Sequence, residues 1–71
     1  MAGVEYTIVR HIGVVGNRGT WPLELNLVSW GSSEPKYDLR AWDPDHKKCG
    51  KGIALTAAEL DSLVGIVSGM N

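Results

Sequence analysis

The sequence predicts an α+β domain of four consecutive antiparallel strands followed by one C-terminal helix, ββββα. Three observations predict it. Runs rich in β-branched and aromatic residues alternate with short clusters of Gly, Asn, Ser and Pro, the punctuation of strands joined by turns. Those separations are too short for crossover connections, so neighbouring strands run antiparallel. Only after Leu55 does the apolar pattern change to helical spacing.

The elements follow in order. Val4 to Val15 is rich in β-branched residues and reads as the first strand. Gly16-Asn17-Arg18-Gly19 is a turn signal, because Gly and Asn tolerate positive φ. Trp21 to Trp30 is the second strand, Gly31 to Pro35 the next turn, and Lys36 to Trp42 the third strand. Asp43-Pro44-Asp45 starts a polar loop that runs to Gly50, and Lys51 to Leu55 is a short fourth strand. Thr56-Ala57-Ala58-Glu59 matches a capping box, in which the Thr56 hydroxyl accepts from the Glu59 amide and the Glu59 carboxylate reaches back to the Thr56 amide. Leu60, Leu63, Val64 and Val67 then recur at helical spacing, and Gly69 is a stop signal. Gly65 inside this helix costs roughly 1 kcal/mol relative to Ala. It either admits another element closely or is tolerated drift.

The 71 residues allow one domain, 1–71. A chain this short buries only roughly 60% of the surface its unfolded form exposes. Its single Cys, Cys49, excludes an internal disulfide, and no metal cage is evident, so a partner chain is the cheapest source of further burial. No signal-peptide pattern opens the sequence, and no apolar run approaches the roughly 20 residues of a membrane span. A lone thiol fits a reducing cytoplasm. The net charge of −1 argues mildly against nucleic acid. Its distribution argues the other way: Lys36, Arg40, Lys47, Lys48 and Lys51 are five of the seven basic residues.

Alternation assigns the faces. Lys36, Asp38, Arg40 and Trp42 share one side of the third strand, and Tyr37, Leu39 and Ala41 the other. In the second strand Leu23, Leu25 and Leu27 oppose Glu24, Asn26, Val28 and Trp30. With the leucines as core under the helix, Trp30, Trp42 and Arg40 face solvent together. Unpaired bases stack on such rings while Lys and Arg track the phosphates. The plainer account packs each Trp at the sheet edge under Lys and Arg stems. Trp21, beside Pro22, is read as a turn anchor.

These residues also carry a resemblance. Val28-Ser29-Trp30, Pro35-Lys36-Tyr37-Asp38-Leu39-Arg40-Ala41-Trp42-Asp43-Pro44-Asp45-His46 and Gly50-Lys51-Gly52-Ile53-Ala54-Leu55-Thr56 resemble the bacterial YdbC-like proteins of the positive cofactor 4 (transcriptional coactivator) family. The similarity covers nearly the whole chain and is strongest from Trp30 to Glu59. It implies a curved four-stranded sheet with a C-terminal helix, a homodimer, and binding of single-stranded DNA with little sequence preference. Trp42 matches the aromatic at the end of the family's DNA-facing strand, and Arg40 the basic residue just before it. Lys51 matches a basic position at the start of the last strand, Trp30 an aromatic position, and Lys36 a basic one. The chain lacks the long basic, serine-rich regulatory tail of eukaryotic members. Its slightly acidic charge predicts modest, salt-sensitive affinity.

The expected nucleic-acid-binding residues are therefore Trp30, Lys36, Arg40, Trp42, Lys47, Lys48 and Lys51. The expected dimer interface is Ile53, Leu55, Leu60, Leu63, Val64 and Val67, with two-fold symmetry. The expected partners are single-stranded DNA, or RNA, which sheet platforms with aromatics also bind, and a second copy of the chain. A protein-interaction module using the same face on an acidic partner is the alternative. The expected location is the cytoplasm, in association with the nucleoid, with no membrane contact and no cofactor.

Rival sites are weaker. Asp43, Asp45, His46 and Cys49 share a loop, but Lys47 and Lys48 fall where a calcium loop needs a ligand and its turn glycine. His46 and Cys49 lack a second pair of zinc ligands. Asp43-Pro44-Asp45 reads as turn chemistry. Gly50-Lys51-Gly52 lacks the upstream glycine and the following Ser or Thr of a nucleotide-binding loop, and its glycines read as a bend or a close backbone approach. His11 reads as an edge residue of the first strand. No paired carboxylates or nucleophile motif is recognisable, so no enzyme is expected.

Overall fold

The computed structural model describes residues 5–70. Strands β1 (Tyr6–Arg18), β2 (Trp21–Trp30), β3 (Lys36–Trp42) and β4 (Cys49–Leu55) precede helix α1 (Ala57–Ser68). They form one open sheet in the order β1-β2-β3-β4, each neighbour antiparallel, with β1 and β4 at its edges. The ββββα reading therefore holds, and β2 and β3 have the expected bounds. The expected first residue of the opening strand, Val4, lies outside the described residues.

β1 departs most from expectation. It runs through the predicted Gly16–Gly19 turn to Arg18, and the reversal falls on Gly19-Thr20, where Gly19 takes φ 62. Only glycine enters that region at no steric cost. β1 has 13 residues against 10 in β2. The surplus is absorbed by register shifts between Ile8/Arg10, His11/Gly13 and Val14/Gly16. Each leaves a β-branched residue unpaired: Val9, Ile12 or Val15. Such bulges bend a strand and sharpen its twist.

β4 begins two residues early, at Cys49, because the loop after β3 is a compact turn rather than a long excursion. The Asp43 carboxylate accepts from the Lys47 and Lys48 amides at 2.7 and 2.9 Å. The Asp43 amide donates to the Lys48 carbonyl at 3.0 Å. Turn chemistry is thus the role of Asp43. At Gly52 the expected close approach is present. A Cβ there would lie 2.3 Å from the Arg40 Cβ and 2.3 Å from the Leu39 carbonyl oxygen. At Gly65 a Cβ would meet nothing within 4 Å, so close packing within this protomer is not its reason.

α1 starts as its sequence dictates. Thr56 accepts from the Glu59 amide at 3.1 Å, and Glu59 accepts from the Thr56 amide at 2.9 Å. Gly69 ends the helix, its N–H reaching the Ile66 carbonyl at 3.1 Å.

The faces are inverted relative to the expectation. Among the described residues the buried set is Glu24, Asn26, Val28, Asp38, Ala41 and Trp42. All but Ala41 lie on the side expected to be open. The leucine side, Leu23, Leu25, Leu27, Tyr37 and Leu39, is only half-buried. Curvature explains the inversion. The bulged β1 bends over the sheet until Tyr6 reaches across β2 to Trp42 on β3, with ring centroids 5.2 Å apart. The turn after β3 folds back onto the same side. By contrast α1 touches β3 and β4 and buries none of its residues. Leu63, Val64, Ile66 and Val67 stay 42%, 55%, 67% and 53% exposed, and Ile53 54%. Leu55 and Leu60 are half-buried.

Candidate nucleic-acid interface

The curved side holds a stack of aromatic rings. Trp30 ends β2 and Trp42 ends β3, and their rings lie 6.2 Å apart at an interplanar angle of 12°. Tyr6, opposite Trp30 in the β1–β2 register, leans on both, at 5.5 and 5.2 Å. His46 packs on Trp42 at 5.6 Å. Trp30 remains half-buried at the surface, whereas Trp42 has no exposed area. The expectation that Trp42 faces solvent is therefore corrected: Tyr6 and His46 cover it. Its indole N–H is buried without a hydrogen-bond partner.

Arg40 joins this stack through Asp38. Asp38 is fully buried, correcting its expected exposure, and takes the Arg40 Nε–H on both carboxylate oxygens at 2.8 and 2.9 Å. It also accepts from the Trp30 indole N–H at 3.3 Å. The guanidinium carbon then sits 4.8 Å from the centroid of Trp30, within cation–π range. Burial would lower the Arg40 pKa, but the hydrogen bond and charge of Asp38, with a smaller contribution from Cys49, outweigh it and raise it. Asp38 uses only Nε–H, so the two terminal amino groups lie outside this pair. Gly52, opposite Arg40 on β4, leaves room for the Arg40 stem.

The other predicted cations are exposed: Lys36 at the start of β3, Lys47 and Lys48 on the turn, and Lys51 at the β3–β4 register shift. Among the described residues no concave pocket opens, and no three of His, Cys, Asp or Glu are placed to share a metal ion.

A second polar group lies beside the stack. Glu24 and Asn26, both buried on β2, hydrogen bond at 3.0 Å. His11 Nδ1 lies 2.7 Å from the Asn26 side-chain oxygen and 3.6 Å from Glu24. His46 Nε2 lies 2.9 and 3.0 Å from the two Glu24 oxygens. Burial pushes the Glu24 carboxyl up, but its hydrogen bonds with Asn26 and His46 and the charges of His46 and His11 together hold it below the ordinary 4.5. Asp43 is also held low, by the Lys48 amide first and then that of Lys47.

This chain is 42% identical over 68 residues to an uncharacterized protein of Treponema pallidum (strain Nichols). The match spans 94% of this chain and 80% of that protein. The chain belongs to that protein's family. No protein-family model matches it.

For this member of the Treponema protein's family, sequence reasoning missed three parts of the site. Tyr6 was unplaceable because strict alternation breaks at the bulges that aim it. His46 reads in the sequence only as a loop residue short of zinc partners, because nothing local ties that loop to Trp42. Glu24 and Asn26 did give one, polar residues alternating with leucines, but the alternation names the two faces of a strand without saying which becomes buried.

Proposed function

We propose that this chain is a homodimeric single-stranded DNA-binding protein of the YdbC-like, positive cofactor 4 type, working in the cytoplasm and binding with little sequence preference. The supporting observation is Trp30, half-buried on a stack with Trp42 and crossed by Arg40, in a chain whose Lys36, Lys47, Lys48 and Lys51 are exposed. Stacking on an aromatic surface with cations on the backbone is how single strands are held without base readout. Trp30 offers its ring to a base, Arg40 its terminal amino groups to a phosphate, and the lysines a positive rim. The resemblance described above supports the same reading.

Self-association is part of the proposal. Leu63, Val64 and Val67 on α1 and Ile53 on β4 form an apolar face left uncovered in the protomer. A two-fold partner would cover it with the same face. Among the described residues no helix is long and apolar enough to cross a membrane.

Titration with oligo-dT at low salt, followed by Trp fluorescence, tests the activity. Saturable quenching by the single strand and a weaker response to duplex are expected. No quenching, or an equal response to duplex, refutes it, and an RNA oligomer bound more tightly than DNA of the same sequence reassigns the ligand. Trp30→Ala should cost about 1–3 kcal/mol of binding, and Lys51→Ala should lower the salt slope by about 1. Sedimentation equilibrium tests the dimer: Val64→Asp should give monomers, and a monomeric wild-type chain refutes it.

A further inference from the structure

We propose that the turn at residues 43–48 is a gate over Trp42. It holds His46 against the indole in the free protein. It swings away when a single strand enters, so that a base takes the place of His46 and an acceptor on the strand takes the Trp42 N–H. This inference rests on the single-strand reading above and adds the closed state and its release.

Three observations carry it. First, Tyr6 on β1 covers part of the Trp42 ring, and the turn's share of the cover comes from one residue. His46 lies on the ring of Trp42, its Nε2 meets both Glu24 oxygens, and its carbonyl accepts from the Tyr6 hydroxyl. These are two latches to β2 and β1, elements outside the turn. Second, the turn is braced internally and can move as a unit. Asp43 holds the amides of Lys47 and Lys48 with its carboxylate and the amide of His46 with its carbonyl at 3.0 Å. None of these bonds must break for the turn to lift.

Third, the closed state carries an unfavourable feature at this spot. The buried Trp42 N–H has no acceptor, and an unmet buried donor retains its full desolvation penalty. Opening lets the Trp42 N–H meet an acceptor. The turn also carries Lys47 and Lys48, so phosphates draw on the piece that must move. His11, the other histidine facing Glu24, is on β1 and stays behind beside that carboxylate.

A ligand that needs a minor open state binds more weakly by the fraction open. Loosening the latch should therefore tighten binding. His46→Gly removes the ring and its latch to Glu24, and Tyr6→Phe removes only the second latch. Affinity for oligo-dT should rise about tenfold or more in the first, for an open state populated at a few per cent, and by less in the second. The indole N–H resonances report the gate directly. In the free wild type the Trp42 N–H should exchange slowly with deuterium. In His46→Gly it should exchange fast, and in the wild type it should shift when oligo-dT is added. Oligo-dT binding that leaves the Trp42 resonance unshifted and protected overturns the gate while the single-strand reading stands. So does a failure of both variants to bind more tightly. Absence of any binding by the wild type defeats both.

Discussion

Removing the Asp38 carboxylate tests the account of the buried side most directly. In Asp38→Ala the Arg40 guanidinium, whose side chain is 17% exposed, keeps its position without a counter-ion. The Trp30 indole N–H loses its acceptor as well. Breaking a buried ion pair from one side costs about 3–5 kcal/mol. Residual solvent around Arg40 places this case at the lower end, about 3 kcal/mol. A 71-residue chain has roughly 4–11 kcal/mol of stability in all. The melting temperature should then fall by about 12–24 °C, at roughly 4–8 °C per kcal/mol for a domain of this size. Circular dichroism at one fixed protein concentration is the assay, since the proposed self-association would make melting concentration-dependent. The double variant Asp38→Ala with Arg40→Met should recover part of the loss, because the uncompensated charge goes with it. An Asp38→Ala variant within 0.5 kcal/mol of the wild type would refute the reasoning, as would a double variant that loses the sum of the two single effects.

Further outcomes follow from other positions. Gly52→Ala should destabilise by about 1–3 kcal/mol or more in urea, because a Cβ 2.3 Å from the Leu39 carbonyl can be relieved only by parting β3 from β4. A variant as stable as the wild type would mean the strands are further apart. Glu24 gives a pH dependence. Its folded pKa lies below 4.5, so its contribution is complete above the ordinary value and is lost as pH falls through the lowered one. Glu24→Gln should therefore flatten the loss of stability below about pH 5, measured by melting over an acid series; an unchanged acid limb would assign that loss to other carboxylates.

Much of this architecture is written locally and was legible for that reason. The capping box at Thr56, the turn at Asp43 and the Gly31–Pro35 break are decided by residues within a few positions of one another, so four strands and a helix follow from the chain read in order. The bounds of β2 and β3 follow likewise, from apolar runs closed by turn residues. The site was legible as a set of residue types. Trp30, Trp42, Arg40 and Asp38 were placed on one face by a period of two, and the structure brings them into contact.

What the chain read in order could not decide is which face closes. Alternation is symmetric, and hydrophobicity favoured the leucines as the inner side. Long-range geometry decides otherwise. Three bulges bend β1 far enough to bring Tyr6 onto Trp42, and one turn lays His46 over the same ring. Burial then falls on Glu24, Asn26, Asp38 and Trp42, which can be inside because they bond to one another or stack. The leucine side is left half-buried and the apolar residues of α1 exposed. Sequence by itself determined the elements, their order and the members of each face. The tertiary structure alone determined that the polar, aromatic face is the closed one, because burial is set by strand curvature and by contacts between residues as far apart as Tyr6 and His46.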